Sequence, residues 1–279
     1  MTDNDTVKLG IIAGEGKFPV LIAREAKAKG IDVYVLGVKG NTEMAAFDGL
    51  ARRSVVLKLG QLGKAIDFLK ENGVRRAVMA GRVQHVNIFS VMPDLRAAKT
   101  LARAKDMRPK TILSAAIEEF RKEGIEFASS ALFLERFLPH KGVLTKRAPT
   151  QDEEKSIELG FKISKTLAAL DVGLTSVICN RAAIAVEGME GTDNCIKRAG
   201  ELYRSQQNAD KKASIVVVKV ARPKQDDRYD LPVIGKGTIR MMIEAGARAL
   251  AVEADKTLIL DLEEVIELAN KNDLTITAV

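Results

Sequence analysis

Short apolar runs rich in β-branched residues alternate along this chain with longer stretches whose apolar positions recur at helical spacing. That alternation is the signature of α/β layers built on parallel strands. The first run, Lys8–Ala13, ends in a glycine turn, and the helical pattern after it sets Leu21, Ile22 and Ala26 on one face. Further strands are predicted at Asp32–Val38, Arg53–Leu57 and Arg76–Ala80. Between the last two lies a helix carrying Leu62, Ile66 and Leu69, stopped by the turn-forming pair Asn72-Gly73. Residues 95–123 read as helix in two pieces broken at Pro109, and Ile125–Ser130 as a closing strand.

The next stretch, FLPHKGVLTKRAPTQ (137–151), has two prolines, a glycine and no clear period. It reads as a linker between a domain at 1–136 and another at 152–279. The second domain begins with a helix over about 151–170, then strands at Ser176–Asn180 and Ala182–Val186 and a helix over 191–205. A wholly apolar strand (214–220) runs into the polar loop ARPKQDDRYDLP. A helix at 236–246, strands at 249–253 and 257–260, a helix at 262–271 and a terminal strand LTITAV complete it. The expected fold is therefore α/β, with a doubly wound, Rossmann-like parallel sheet first and a second α/β domain after it.

Composition narrows the classes. The 279 residues are 46% apolar and 29% charged, enough for two cores at roughly 100–200 residues per domain. A net charge of +7 suits an anionic partner, although Lys and Glu are interspersed along most of the chain. Aromatics are 4% and Trp is absent, which argues against platforms that stack single-stranded nucleic acid. Cys179 and Cys195 make neither a disulfide framework nor a zinc site and are expected as buried thiols. The polar start MTDNDTVKLG lacks a signal-peptide core, and no apolar run approaches the roughly 18 residues of a span, so a cytoplasmic location is expected.

Four segments carry candidate chemistry. In IIAGEGKFP (11–19) the turn Gly14–Glu15–Gly16 follows a strand and opens a helix, which can present backbone N–H groups to a phosphate; a tight turn without ligand is the alternative. Pro19 stands where a dinucleotide fingerprint has its third glycine, and the second strand ends in LGVKG without an acid for a ribose. Nicotinamide or flavin binding is therefore not expected. In MAGRV (79–83), Gly81 permits close approach and Arg82 supplies a cation. In VEGMEGTD (186–193), Gly191, Thr192 and Asp193 precede a helix, where Thr or Asp is ordinary capping. Glu187, Glu190 and Asp193 also put three carboxylates into one turn, which suits a hard divalent cation. Last, KVARPKQDDRYDLPVIG (219–235) holds Lys219, Arg222, Lys224 and Arg228 with Asp226, Asp227 and Asp230, the last followed by Leu-Pro. Cations and carboxylates beyond a buried strand match what phosphoryl transfer needs, and a solvated loop is the alternative. His85 and His140 stand in no metal or triad spacing, and no G-x-S-x-G elbow or Walker A motif is present.

At these motifs the chain resembles the UDP-2,3-diacylglucosamine pyrophosphatases of the LpxI type, which act in lipid A synthesis in Gram-negative bacteria. The resemblance runs through KLGIIAGEGKFP, AGRV with MPD (92–94), AVEGMEGTD and PKQDDRYDLPVIG. It implies substrate held between the two domains, a homodimer, a divalent metal (Mg2+ or Mn2+), and hydrolysis to UMP and 2,3-diacylglucosamine 1-phosphate. It implies Asp230 as the essential aspartate, with Lys146, Lys219, Arg228, Thr192 and Asp193 at matching motif positions. The chain departs from some members at Pro109-Lys110, where they carry an acidic pair, and after AGRV, where it reads QHVN.

The resulting expectation is a metal-dependent diphosphate hydrolase. Asp230 binds metal or positions water, with Asp193, Asp226 and Asp227 as further metal ligands. Lys146, Lys219, Arg82 and Arg228 hold phosphates, and the turns at Gly14–Gly16, Gly81 and Gly191–Thr192 face the lipid-linked UDP-sugar. A non-catalytic nucleotide-sugar binding protein on the same fold is the rival. Arg96, Lys99 and Arg103 share one face of a basic helix at 96–110, suited to peripheral contact with the inner-membrane surface. Ion pairing within the protein is the competing expectation for that face.

Overall fold

The structure, a computed structural model, describes residues 7–83, 92–205, 214–223, 226–228 and 231–279. The chain divides into two compact units, 1–134 with 227–229, and 135–226 with 230–279.

The first unit runs β1 (Lys8–Ala13), α1 (Lys17–Ala28), β2 (Asp32–Val38), β3 (Ala51–Leu57), α2 (Leu62–Glu71), β4 (Arg76–Ala80), α3 (Leu95–Ala102), α4 (Pro109–Lys122) and β5 (Glu126–Phe127). Among the described residues its strands form one parallel sheet in the order 3-2-1-4-5. The helical faces anticipated from spacing are the buried ones: Ile22 and Ala26 on α1, Ile66 and Leu69 on α2. Tyr34, Leu36, Ile117 and Ile125 pack around the latter pair, where Phe120 and Phe127 meet edge to face with centroids 5.1 Å apart. Pro109 opens α4, where its missing N–H would have had no helical acceptor. The closing strand is only two residues long, and α3 ends at Ala102, short of the expected basic helix to 110.

The second unit runs β6 (Gly142–Val143), α5 (Gln151–Ala169), β7 (Thr175–Cys179), β8 (Ala182–Val186), α6 (Thr192–Ser205), β9 (Ile215–Lys219), β10 (Val233–Ile234), α7 (Lys236–Ala245), β11 (Ala247–Val252), β12 (Leu258–Ile259), α8 (Leu262–Lys271) and β13 (Thr275–Ala278). Its mixed sheet has the order 6-13-11-9-7-8, with β9, β11 and β13 mutually parallel and β7 reversed against β9. β10 and β12 form a separate parallel pair. Val216, Val217 and Val218 of β9 are fully buried between helical layers, which is why that strand reads as a continuous apolar run. β7 turns into β8 through Asn180 and Arg181, both left-handed at φ 48° and 60°, the geometry of a two-residue hairpin.

The stretch expected as a linker differs from that reading. Gly142–Val143 pairs antiparallel with β13, and the Leu144 N–H donates to Ile276 at 2.8 Å. Thr150 then caps α5 in a reciprocal box with Glu153. An edge strand of two residues has no period to read, so it looks like loop in sequence.

Candidate functional site

In the first unit the strand order places a switch point between β1 and β4, the position at which open α/β sheets take ligands. The segments leaving these two strands meet there. The Gly14 N–H donates to Ala80 O at 2.8 Å, Glu15 N–H to Arg82 O at 2.8 Å, and Arg82 N–H to Glu15 O at 3.1 Å. A Cβ on Gly14 would lie 2.6 Å from Arg82 O, and one on Gly81 would lie 2.8 Å from Glu15 O. Gly81 is also left-handed, at φ +87°. The structure thus brings Gly14, Glu15, Gly16, Gly81 and Arg82 together, and the approach of one backbone to the other accounts for Gly14 and Gly81 without a ligand. The Arg82 and Glu15 side chains lie 3.6 Å apart, the arginine exposed and the glutamate half-buried with its Oε2 shielded from solvent.

In the second unit the same edge of the sheet is polar. Gly191, left-handed at φ +80°, turns the chain into α6, so that Thr192 becomes its first residue. The Thr192 hydroxyl donates to Glu187 Oε1 at 3.0 Å, accepts from Lys219 Nζ at 2.7 Å and lies 3.3 Å from the Thr175 hydroxyl. Lys219 ends β9 and is only 8% exposed. Glu187 Oε2 accepts from the Leu174 N–H, which locks the carboxylate. Asp193 Oδ1 accepts from Thr238 on α7 at 2.9 Å, tying the first turns of two helices together. A buried ammonium beside a helix N-terminus is an arrangement suited to phosphate.

The remaining candidates are distributed. Glu187, Glu190 and Asp193 do not converge, because Glu190 turns to Arg198 at 2.7 Å and to the Gly188 N–H. Among the described residues no three His, Cys, Asp or Glu side chains gather to hold a metal. Lys146 lies at the opposite edge of its sheet: its N–H donates to Asn270 Oδ1, and Arg147 next to it bonds Thr275 at the start of β13. The structure therefore does not bring Lys146 to Thr192 and Lys219. Asp226 is half-buried in the second unit. Asp227 and Arg228 are counted with the first unit, where the Asp227 carbonyl accepts from the Ser130 N–H at 2.7 Å. Asp230, Lys224 and His85 lie outside the described residues.

Arg96 follows the ion-pairing expectation for this face. It turns to α4, meeting Glu123 at 2.7 Å and Glu119 at 3.3 Å, and the Glu123 contact raises its pKa further. Lys70 and Arg96 in turn hold the Glu123 carboxyl down at about 2. Arg96, Lys99 and Arg103 together line an open cavity of about 550 Å³ with Lys64 and Asp67. Both cysteines are buried as expected, and burial pushes the Cys195 thiol up to about 12. Spacing missed one pair, Lys165 on α5 and Glu253 just past β11, joined at 2.9 Å. Its only signal is an acid closing the apolar run ALAV.

Comparison with known proteins bears on all of this. Family models for the LpxI N-terminal domain and the LpxI C-terminal domain match residues 8–137 and 140–277. The UDP-2,3-diacylglucosamine pyrophosphatase LpxI of Caulobacter vibrioides is 30% identical over 278 residues, covering 98% of this chain and 97% of that one. Among solved structures, gox2253 aligns with a TM-score of 0.36 and 13% identity over 99% of this chain and 77% of its own. A Rhizobium etli pyruvate carboxylase aligns at 0.29 and 11%, over 62% of this chain and 15% of its own. These two likenesses are too slight to inform the site. The two domain models and the Caulobacter relative agree from one end of the chain to the other, and on that agreement the chain belongs to the LpxI family.

Proposed function

We propose that this chain hydrolyses the diphosphate of UDP-2,3-diacylglucosamine to UMP and 2,3-diacylglucosamine 1-phosphate in lipid A biosynthesis. The observation that carries this reading is likeness over 98% of the chain to a relative named for that activity. The geometry supports it: Lys219 and Thr192 meet at the N-terminus of α6, where a phosphate is favoured. In this reading Lys219 and Thr192 hold diphosphate oxygens, and Asp230 positions the attacking water and accepts its proton. Lys146, at the other edge of its sheet, has no part in this arrangement.

A bound Mg2+ or Mn2+ would neutralise the diphosphate, but the described carboxylates alone do not fit such an ion. We therefore propose the metal requirement as a property to be measured. The purified chain should release UMP from UDP-2,3-diacylglucosamine with either ion, read as phosphate after a coupled phosphatase, and excess chelator should stop it. Binding without turnover in both ions would move the chain to the carrier reading. The proposal extends to a homodimer in the cytoplasm in peripheral contact with the inner membrane, measurable by sedimentation velocity and vesicle binding. No helix among the described residues is long and apolar enough to cross a membrane.

A further inference from the structure

We propose that Lys165 and Glu253 are positioning residues that hold the backbone of Lys219–Ala221, and through it set the Lys219 ammonium against Thr192. The inference rests on the reading above for the role of Lys219, but its geometry stands independently.

β9 ends at Lys219, and the chain beyond has no strand ladder to satisfy its polar groups. Four of them are nevertheless held. The Glu253 N–H donates to Lys219 O at 3.1 Å, and the Val220 N–H to Leu174 O at 2.9 Å. The Ala221 N–H donates to Glu253 Oε2 at 2.9 Å, and Ala221 O accepts from Lys165 Nζ at 2.8 Å. Lys165 Nζ reaches both Glu253 oxygens, at 3.2 and 2.9 Å, so the ammonium is shared between the carboxylate and the carbonyl of one backbone residue. Lys256 adds a bond to Glu253 Oε1 at 2.8 Å. Val220 and Ala221 are fully buried, which leaves no water to replace these partners.

A buried ion pair is weak evidence for stability, because an apolar pair of similar volume often serves as well. An apolar pair cannot supply an acceptor to one backbone N–H and a donor to its carbonyl. That is the specific work of Lys165 and Glu253, one residue before Arg222 and two after the Lys219 that bonds Thr192. Burial raises the Glu253 pKa, but bonds from Lys256, Lys165 and Ala221 outweigh it and hold the carboxylate below its usual range. The Glu253 carboxylate therefore remains charged at neutral pH. Reacting groups displaced by about 1 Å can lose on the order of a hundredfold in rate.

The test is the double variant Lys165→Met/Glu253→Leu, which removes both charges of the pair together and releases only the exposed Lys256 to solvent. We expect a lower thermal midpoint, because the buried Ala221 N–H and carbonyl lose their partners, together with a kcat at least about tenfold lower and a KM that moves less than about threefold. Amide exchange should rise at least about tenfold in a peptide spanning 219–222 and stay unchanged in β11. Should the double variant fail to fold, Glu253→Gln, which keeps an acceptor for Ala221, should show intermediate exchange and turnover. Turnover within about twofold of wild type, or no localised rise in exchange, overturns the inference. If wild type itself releases no UMP, the proposed function fails, and the exchange measurement still decides whether the pair clamps Ala221.

Discussion

The two sheets finish their C-terminal edges by different means. In the first unit the segments after β1 and β4 are joined backbone to backbone, and Gly14 and Gly81 are there because a Cβ would strike the opposite chain. In the second unit the segments after β8 and β9 are joined by side chains, Glu187 to Thr192 to Lys219, with Lys165 and Glu253 behind them. Both edges look like ligand turns in sequence. The difference teaches that a glycine motif at a strand end can be explained by closeness of backbone alone. A buried ammonium held by a hydroxyl has no such steric explanation, which is why the proposed chemistry rests on the second edge.

Five substitutions would break or sharpen this contrast. The largest effect is expected from Asp230→Ala, which should lower turnover on the order of 10²–10⁴-fold, the range for losing a positioned acid–base group. Its thermal midpoint should hardly move, and near-normal UMP release would remove Asp230 from the mechanism. Next, Lys219→Met should lower kcat about a hundredfold, as loss of a charge-stabilising donor does, with Thr192→Val following in the same direction by less. If Lys219→Met matched wild type, the polar edge would be structural and the contrast would collapse. Gly81→Ala should act on stability rather than chemistry, by roughly 2–4 kcal/mol in thermal or urea unfolding, because a left-handed residue would also meet Glu15 O at 2.8 Å. Gly16→Ala is the matched control and the smallest effect. Gly16 is left-handed at φ +100° but has nothing within 4 Å, so about 1 kcal/mol of strain is expected. Equal losses from Gly81→Ala and Gly16→Ala would show that the crossing backbones matter little.

What the sequence made legible follows from the length scale of each signal. The buried face of α2 and the fully buried β9 were readable, since each is a periodic or continuous apolar run. β6 and the end of α3 were not: two residues carry no period, and Ala102 is followed by residues with no strong helix breaker before Pro109. Thr192, Lys219 and the glycine turns could be named from motifs. The bond from Lys219 to Thr192 spans 27 positions, and spacing along the chain says nothing about it. Arg96 shows the same limit: its helical face was deduced, but its partners Glu119 and Glu123 belong to another helix. Lys165 and Glu253 stood in no motif, and only the strand register that ends β9 beside β11 brings them to Ala221.

The pairing of β6 with β13 has a consequence for how the chain is made. Among the described residues Gly142 and Val143 find their ladder partners in Thr277 and Ala278, so the opening strand of the second unit must wait for residues synthesised about 135 positions later. Arg147 is likewise bonded to Thr275, 128 residues on. The first unit closes its own sheet by Phe127, and that sheet can form on the ribosome, since domains fold as units during synthesis, while Asp227 and Arg228 join the unit later. The second cannot, and for the whole time its strands are emerging the apolar run of β9 lacks its full cover. That interval is when chaperone binding to this protein should be greatest.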